Sequence, residues 1–375
     1  MAARRAAVIL ATVDTRRSHG HSRSPRARRT LAPAVLAAVA AVAATTLAGC
    51  GAGHSGTAPH PGTPTSARAR STTTRPPSGT SAATTTVPAA GAGREGVPAF
   101  AHLFVVVMEN LDRQEALAVP AVAALAHRYA SADAWYAVAH PSLPNYLALA
   151  SGSTWGVSSD CTSCIQTGAN LATQLSAAGI PWGAYFEGMP GNCFLGPQSP
   201  DGSYAAKHDP FAYFTDVRAD PSVCAHLQPL HALTPLLAPG APASGVPRFV
   251  WVTPDLCHSG HDCGAAAGGA WLSGFVATVT TSAAWADNGA LVVTWDEGAD
   301  SASASSGAIT DSGGGGNVLT LVIAPHVRAG LRVGTLFDHY SFLRTVEDAF
   351  GLPLLGGAAA RTTVPMSAFW AGTGP

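Results

Sequence analysis

Beyond residue 97, short apolar runs recur at 103–108, 182–186, 249–252, 290–295 and 318–324. Each is nearly continuous rather than alternating, and each is strand-length, as expected of strands covered on both faces. Between them, 119–129, 171–178 and 270–280 carry apolar residues at helical spacing, and 341–350 follows the last run in the same way. A further helix is predicted to start near Pro144 and run through the apolar Tyr146-Leu147-Ala148-Leu149-Ala150. Strands alternating with helices predict an α/β domain with a mostly parallel central sheet flanked by helices. No stretch repeats another.

Upstream the pattern changes twice. Eight Arg in the first 30 residues precede an apolar, alanine-rich stretch that ends in Leu47-Ala48-Gly49-Cys50. A basic lead, an apolar segment and small residues before the cut are the three parts of a secretory signal. The ending resembles a bacterial lipobox, so residues 1–49 are expected to be a signal peptide and Cys50 the lipidated first residue of the mature chain. A plain signal or an uncleaved anchor would share the apolar run, and Arg28-Arg29 hints at twin-arginine export. Residues 50–97 are Ser, Thr, Pro, Ala and Gly with almost no large apolar side chain. They cannot bury a core and read as a tether. The folded domain is placed at 98–375.

Composition narrows the function. Only 11% of residues are charged, against about 25% in an ordinary domain. The net charge of −1 conceals an asymmetry: residues 1–97 hold twelve Arg against Asp14 and Glu95, whereas 98–375 hold nine basic and twenty acidic residues, a net −11. A nucleic-acid groove needs clustered Lys and Arg, so no nucleic-acid partner is expected. Beyond the N-terminal run no stretch approaches membrane-spanning length, so contact with a membrane is expected through the lipid anchor alone. Apart from Cys50, six cysteines remain, Cys161, Cys164, Cys193, Cys224, Cys257 and Cys263. An even number in an exported domain reads as up to three disulfides, with pairing open. Cys161 and Cys164 have half a zinc motif, but no second such pair follows.

In a parallel sheet, ligands bind beyond the carboxyl ends of the strands. Three predicted strands end in acidic or His-bearing chain: Glu109-Asn110, Asp296-Glu297, and the segment from Asp255 through His258 to His261-Asp262. Any one of these is ordinarily a turn or cap. Carboxylates gathered at one edge repel unless a cation or proton sits among them. An oxygen-rich set of this kind suits one divalent ion, Mg, Ca, Mn or Zn. Such an ion can bind a phosphoryl oxygen and acidify a hydroxyl. A candidate hydroxyl lies in His140-Pro141-Ser142-Leu143-Pro144-Asn145-Tyr146, where Ser142 would stand at a helix N-terminus. The pattern serves a nucleophile facing an anion and a mere helix cap equally well. Thr310-Asp311-Ser312-Gly313-Gly314 looks like a serine-protease motif, but the domain lacks the accompanying pattern, and a glycine-rich loop accounts for it.

Taken in order, Met108-Glu109-Asn110, the Ser142 segment, Lys207-His208-Asp209-Pro210-Phe211, His261-Asp262-Cys263 and Trp295-Asp296-Glu297-Gly298 resemble the bacterial phosphoesterase family. That family holds acid phosphatases and phospholipases C and is related to the alkaline phosphatase superfamily. Secreted actinobacterial acid phosphatases acting on phosphatidylinositol 3-phosphate are the nearest in pattern. The resemblance implies an alkaline-phosphatase-like core and a phosphoserine intermediate on Ser142. It implies metal binding by Glu109, Asn110, Asp296 and Glu297, the last where family members also carry Asp. It implies that His261 contacts phosphate or protonates the leaving oxygen, with Lys207 and His208 on the phosphate side and Asn145 in the pocket. Asp255 departs from the usual Asn, and Ser259-Gly260 from the usual pair before His261. Asp255 would either add a second-metal ligand or cap a turn, and the turn is favoured. Of His140, His258 and His339, the last has the most family-like setting.

The resulting expectation is an exported acid phosphatase of phosphomonoesters, phosphoinositides included, in the cell membrane as a lipoprotein or secreted. Its ligand would be a phosphorylated small molecule or a phospholipid head group. The alternatives are a phospholipase C-type phosphodiesterase and a non-catalytic lipoprotein that binds phosphorylated ligands. His protonation and a phosphate second pKa near 6 predict an acidic optimum.

Overall fold

The computed structural model describes residues 93–299 and 314–371. The signal segment, the lipobox with Cys50, nearly all of the tether, and positions 310–313 of the protease-like motif lie outside the described residues.

All five apolar runs are strands. In chain order the sheet strands are β1 His102–Met108, β2 Ala130–Tyr136, β3 Trp182–Phe186, β4 Leu227–Pro229, β5 Phe249–Thr253, β6 Gly289–Trp295, β7 Thr320–Ile323 and β8 Arg332–Asp338. They form one sheet in the order β4-β3-β5-β1-β6-β7-β2-β8. Every neighbouring pair is parallel except those made by β7, which runs against both β6 and β2. Every residue of β1, β3, β5, β6 and β7 is buried, as their continuous apolar character required.

β2, β4 and β8 had no such signature. β2 is ASADAWY, three alanines with Ser and Asp, and only its place between β7 and β8 makes it a strand. β4 is a three-residue edge, and β8 is an edge strand with four of its seven residues exposed.

The predicted helices appear as Pro120–Arg128, Leu171–Ala177, Ala265–Thr280, His339–Phe350 and Ser142–Ser151. The Ala265–Thr280 helix begins five residues earlier than its apolar pattern because Ala, Ala, Ala, Gly and Gly carry no amphipathic signal. Gly269 is where this helix meets the Pro120–Arg128 region. A Cβ there would lie 2.8 Å from Val119 Cγ1.

The domain's contacts start upstream of 98. The Arg94 guanidinium donates to Gly351 and Leu352 carbonyls, Glu95 pairs with Arg344, and Val97 is buried. Three disulfides join Cys161 to Cys164, Cys193 to Cys224 and Cys257 to Cys263. Among the described residues no helix is long and apolar enough to cross a membrane.

Candidate active site

Strand register brings the first acidic groups together. Met108 pairs with Trp295 at the end of the β1–β6 ladder, so Glu109 and Asp296 leave the sheet side by side. Asp296 N–H donates to Met108 O at 2.9 Å. Asn110 turns the chain in the left-handed region (φ 52°) and its N–H donates to Asp296 Oδ1 at 3.1 Å. On the other flank, Glu109 N–H donates to Ser259 O at 3.2 Å. That contact ties β1 to the loop closed by the Cys257–Cys263 disulfide.

Ser142 is the first residue of its helix and does not cap it; the cap position is Pro141, after a cis His140–Pro141 bond. Its hydroxyl instead points at two carboxylates, with Oγ 3.2 Å from Glu109 Oε2 and 3.1 Å from Glu297 Oε1. A hydroxyl has one proton to give, so the two acceptors share it. The side chain is 1% exposed. Around this core, the Tyr146 hydroxyl donates to Glu109 Oε1 and His140 Nδ1 meets Glu297 Oε2.

Asn145, expected in the phosphate pocket, is committed elsewhere. Its Oδ1 accepts from the Val138 and Ala139 N–H groups, both at 3.0 Å, and its Nδ2 donates to Ala139 O at 2.7 Å and Pro141 O at 3.2 Å. It holds the loop that presents Ser142.

Three buried carboxylates in one place are electrostatically costly. Burial raises the Glu109 pKa, but the adjacent His208, the Tyr146 hydroxyl and His261 outweigh it and leave the group below its ordinary value. Asp296 is pushed far up, first by burial and then by Glu109 and Glu297. Glu297 is also raised by burial, in spite of His140. Asp296 Oδ2 is buried and has no hydrogen-bond partner. An orphaned carboxylate oxygen beside two further buried carboxylates is the donor set of a hard divalent cation. Glu109, Asp296 and Glu297, with Asn110 adjoining, therefore fit one.

Of the residues expected to face phosphate, His208 stacks on Tyr146 and its Nε2 lies 3.2 Å from Glu109 Oε2 without a hydrogen bond. Lys207 Nζ contacts Asp160 Oδ2 at 2.9 Å and His261 Nε2 at 3.2 Å. His339 is fully buried. Its Nε2 donates to Asp296 O at 2.6 Å while its Nδ1 accepts from Trp135 Nε1 at 3.4 Å. Burial lowers its pKa to about 4, so it is a neutral strut.

Asp255 Oδ1 accepts from the His258 N–H at 2.6 Å, the turn role favoured for it. With Glu187 it also forms the one group of three His, Cys, Asp or Glu among the described residues whose ligand atoms all lie within 4.8 Å of each other, Glu187, Asp255 and His258.

Sequence reasoning missed Tyr146, Asp160 and Glu187 as members of this region. Tyr146 carried a usable signal, since a tyrosine four residues after Ser142 on a buried helix needs a partner for its hydroxyl. Asp160 and Glu187 lie in loops with no local pattern.

The Phosphoesterase family model matches residues 81–353. The chain is 32% identical over 292 residues to a phosphatidylinositol-3-phosphatase of Mycobacterium tuberculosis, covering 76% of this chain and 87% of that protein. It is 28% identical over 268 residues to an acid phosphatase of Aspergillus fumigatus, covering 70% of this chain and 57% of the fungal protein. A solved structure from Vibrio parahaemolyticus, described as a protein in the alkaline phosphatase superfamily, is 11% identical with a TM-score of 0.46 over 70% of each chain.

Proposed function

Because this chain belongs to the Phosphoesterase family and is a phosphoric ester hydrolase, we propose that it is an exported, metal-dependent acid phosphatase of phosphomonoesters that works through a phosphoserine on Ser142. The observation that carries this reading is the Ser142 hydroxyl, buried at a helix start and directed at Glu109 and Glu297.

Those carboxylates take up the Oγ proton as the Oγ–phosphorus bond forms. The bond from phosphorus to the alcohol oxygen breaks with its electron pair on that oxygen, which is protonated by His261 once its Nε2, the acceptor of a Lys207 N–H in this structure, has itself taken up a proton. Lys207 adds positive charge around the phosphoryl oxygens, with His208 the next residue along, and water then hydrolyses the phosphoserine to release phosphate. A divalent cation held by Glu109, Asn110, Asp296 and Glu297 would supply charge neutralisation and lower the pKa of the hydroxyl.

The Mycobacterium tuberculosis relative is named for phosphatidylinositol 3-phosphate, and a phosphoinositide head group is the first substrate to try. The three disulfides fit an oxidising compartment. With residues 1–49 as signal, Cys50 as lipid site and 50–97 as tether, the enzyme would stand off the outer face of the cell membrane.

A screen of phosphomonoesters and phosphodiesters across pH, with and without chelator, tests the proposal. Phosphate release from monoesters, maximal at acidic pH and lost with chelator, supports it. A maximum above about pH 8, well past the ordinary His pKa, refutes the acid mechanism. Diester cleavage alone would make it a phospholipase C-type enzyme, and inertness of the metal-loaded protein would make it a binding lipoprotein.

A further inference from the structure

Lys207 is the only lysine in the chain, and its ammonium is held in place from two sides. Asp160 Oδ2 accepts from Nζ at 2.9 Å, while Asp160 Oδ1 accepts from the Leu143 N–H at 3.0 Å. Leu143 is the residue after Ser142, so one carboxylate spans the first turn of the Ser142 helix and the lysine. The second hold is His261 Nε2, 3.2 Å from Nζ. An ammonium has no acceptor, so His261 Nε2 must accept and the imidazole proton lies on Nδ1, which is 2.6 Å from Asp262 Oδ1. Two of the three Nζ–H groups are thus engaged by described residues, and one is left. A lysine side chain has four rotatable bonds, and fixing it costs about 2 kcal/mol of rotamer entropy that a free surface lysine would keep.

We propose that Asp160 is a positioning residue of this site. Its carboxylate fastens the Lys207 ammonium to the start of the Ser142 helix, so that the remaining N–H meets an oxygen of the phosphoryl group on Ser142. The proposal rests on the functional reading above and adds a residue outside every motif of the sequence. Burial alone would lower the Lys207 pKa. The bond to Asp160, with the fields of Glu109 and Asp296 behind it, holds it above its ordinary value instead.

The full chain with Asp160→Asn tests this. The amide oxygen still accepts from Leu143 N–H, so the helix start is kept, and the charge facing Lys207 is gone. Because Lys207 is the sole lysine, 15N-lysine labelling gives one Nζ resonance whose titration reads this contact directly. The expected result is a kcat loss of roughly 10- to 100-fold, the usual range for groups that orient a reacting residue, with the melting temperature little changed. The Nζ titration should move to lower pH, and Asp160→Glu should recover part of both effects. An unchanged kcat, or an unmoved Nζ titration, overturns the proposal. A wild type inert towards every phosphoester instead sinks the functional reading, and the Nζ titration still decides whether Asp160 governs Lys207.

Discussion

Replacing Asn145 with Ala separates a phosphate ligand from a loop fastener. The side chain makes four hydrogen bonds, all to backbone between Val138 and Pro141, and it is fully buried. Truncation leaves the Val138 and Ala139 N–H groups without acceptors. Each buried orphan costs about 1–3 kcal/mol, so the pair costs about 4 kcal/mol before any loss at the two carbonyls. In a domain of this size that is a fall in Tm of about 10 °C. Turnover falls with it, since the freed segment includes His140 and Pro141, directly before Ser142. The assay is thermal unfolding beside kcat and KM on a phosphomonoester. Asn145→Asp refines the reading: Oδ1 still accepts, but an ionised Oδ2 faces the carbonyls of Ala139 and Pro141. That acid has a raised folded pKa, so its stability is present at low pH and is lost as pH rises. A Tm held at the wild-type value in Asn145→Ala, with KM alone raised, would refute this reasoning and return Asn145 to the phosphate pocket.

Ser142→Ala should lower kcat a thousandfold or more, on the order seen when a covalent nucleophile is removed, and rapid-quench mass spectrometry should find the phosphoryl adduct on the Ser142 peptide of wild type alone. Activity in Ser142→Ala equal to wild type removes it as nucleophile. Chelator should lower both turnover and Tm, because Glu109, Asp296 and Glu297 then repel unscreened, and a divalent salt should restore both; a protein indifferent to chelator has no working cation there. Burial pushes the Asp209 carboxyl up to about 7 from 3.8, against the Phe211 and Ala212 N–H groups and the Tyr204 hydroxyl that bind it. Native protein therefore holds a proton that the unfolded chain has lost, and stability falls as pH rises from about 4 to about 7. Asp209→Asn should flatten that part of the Tm profile, and an unaltered slope would show that Asp209 is not its source.

Strands β1, β3, β5, β6 and β7 were legible because a strand covered on both faces has to be apolar throughout, which is a local property of the chain. The kind of chemistry was legible only through the ordered motifs around Glu109, Ser142, Lys207, His261 and Asp296, which resemble the phosphoesterase family; each residue alone fitted a turn or a cap equally well. β2 was not legible: alanine-rich chain satisfies its backbone equally well in several ways, and the hydrogen bonds offered by β7 and β8 decide among them. Asn145 shows the same limit at the site. Its place near Ser142 allowed a phosphate contact or a cap, and only the fold of residues 138–141 shows its amide making four backbone hydrogen bonds there. Composition and periodicity thus determined which segments are buried and which residue types stand at the carboxyl ends of the strands. Tertiary structure alone decided that the Ser142 hydroxyl points between Glu109 and Glu297 and that Asp160 reaches Lys207, because hydrogen bonds between segments tens of residues apart leave no periodic trace along the chain.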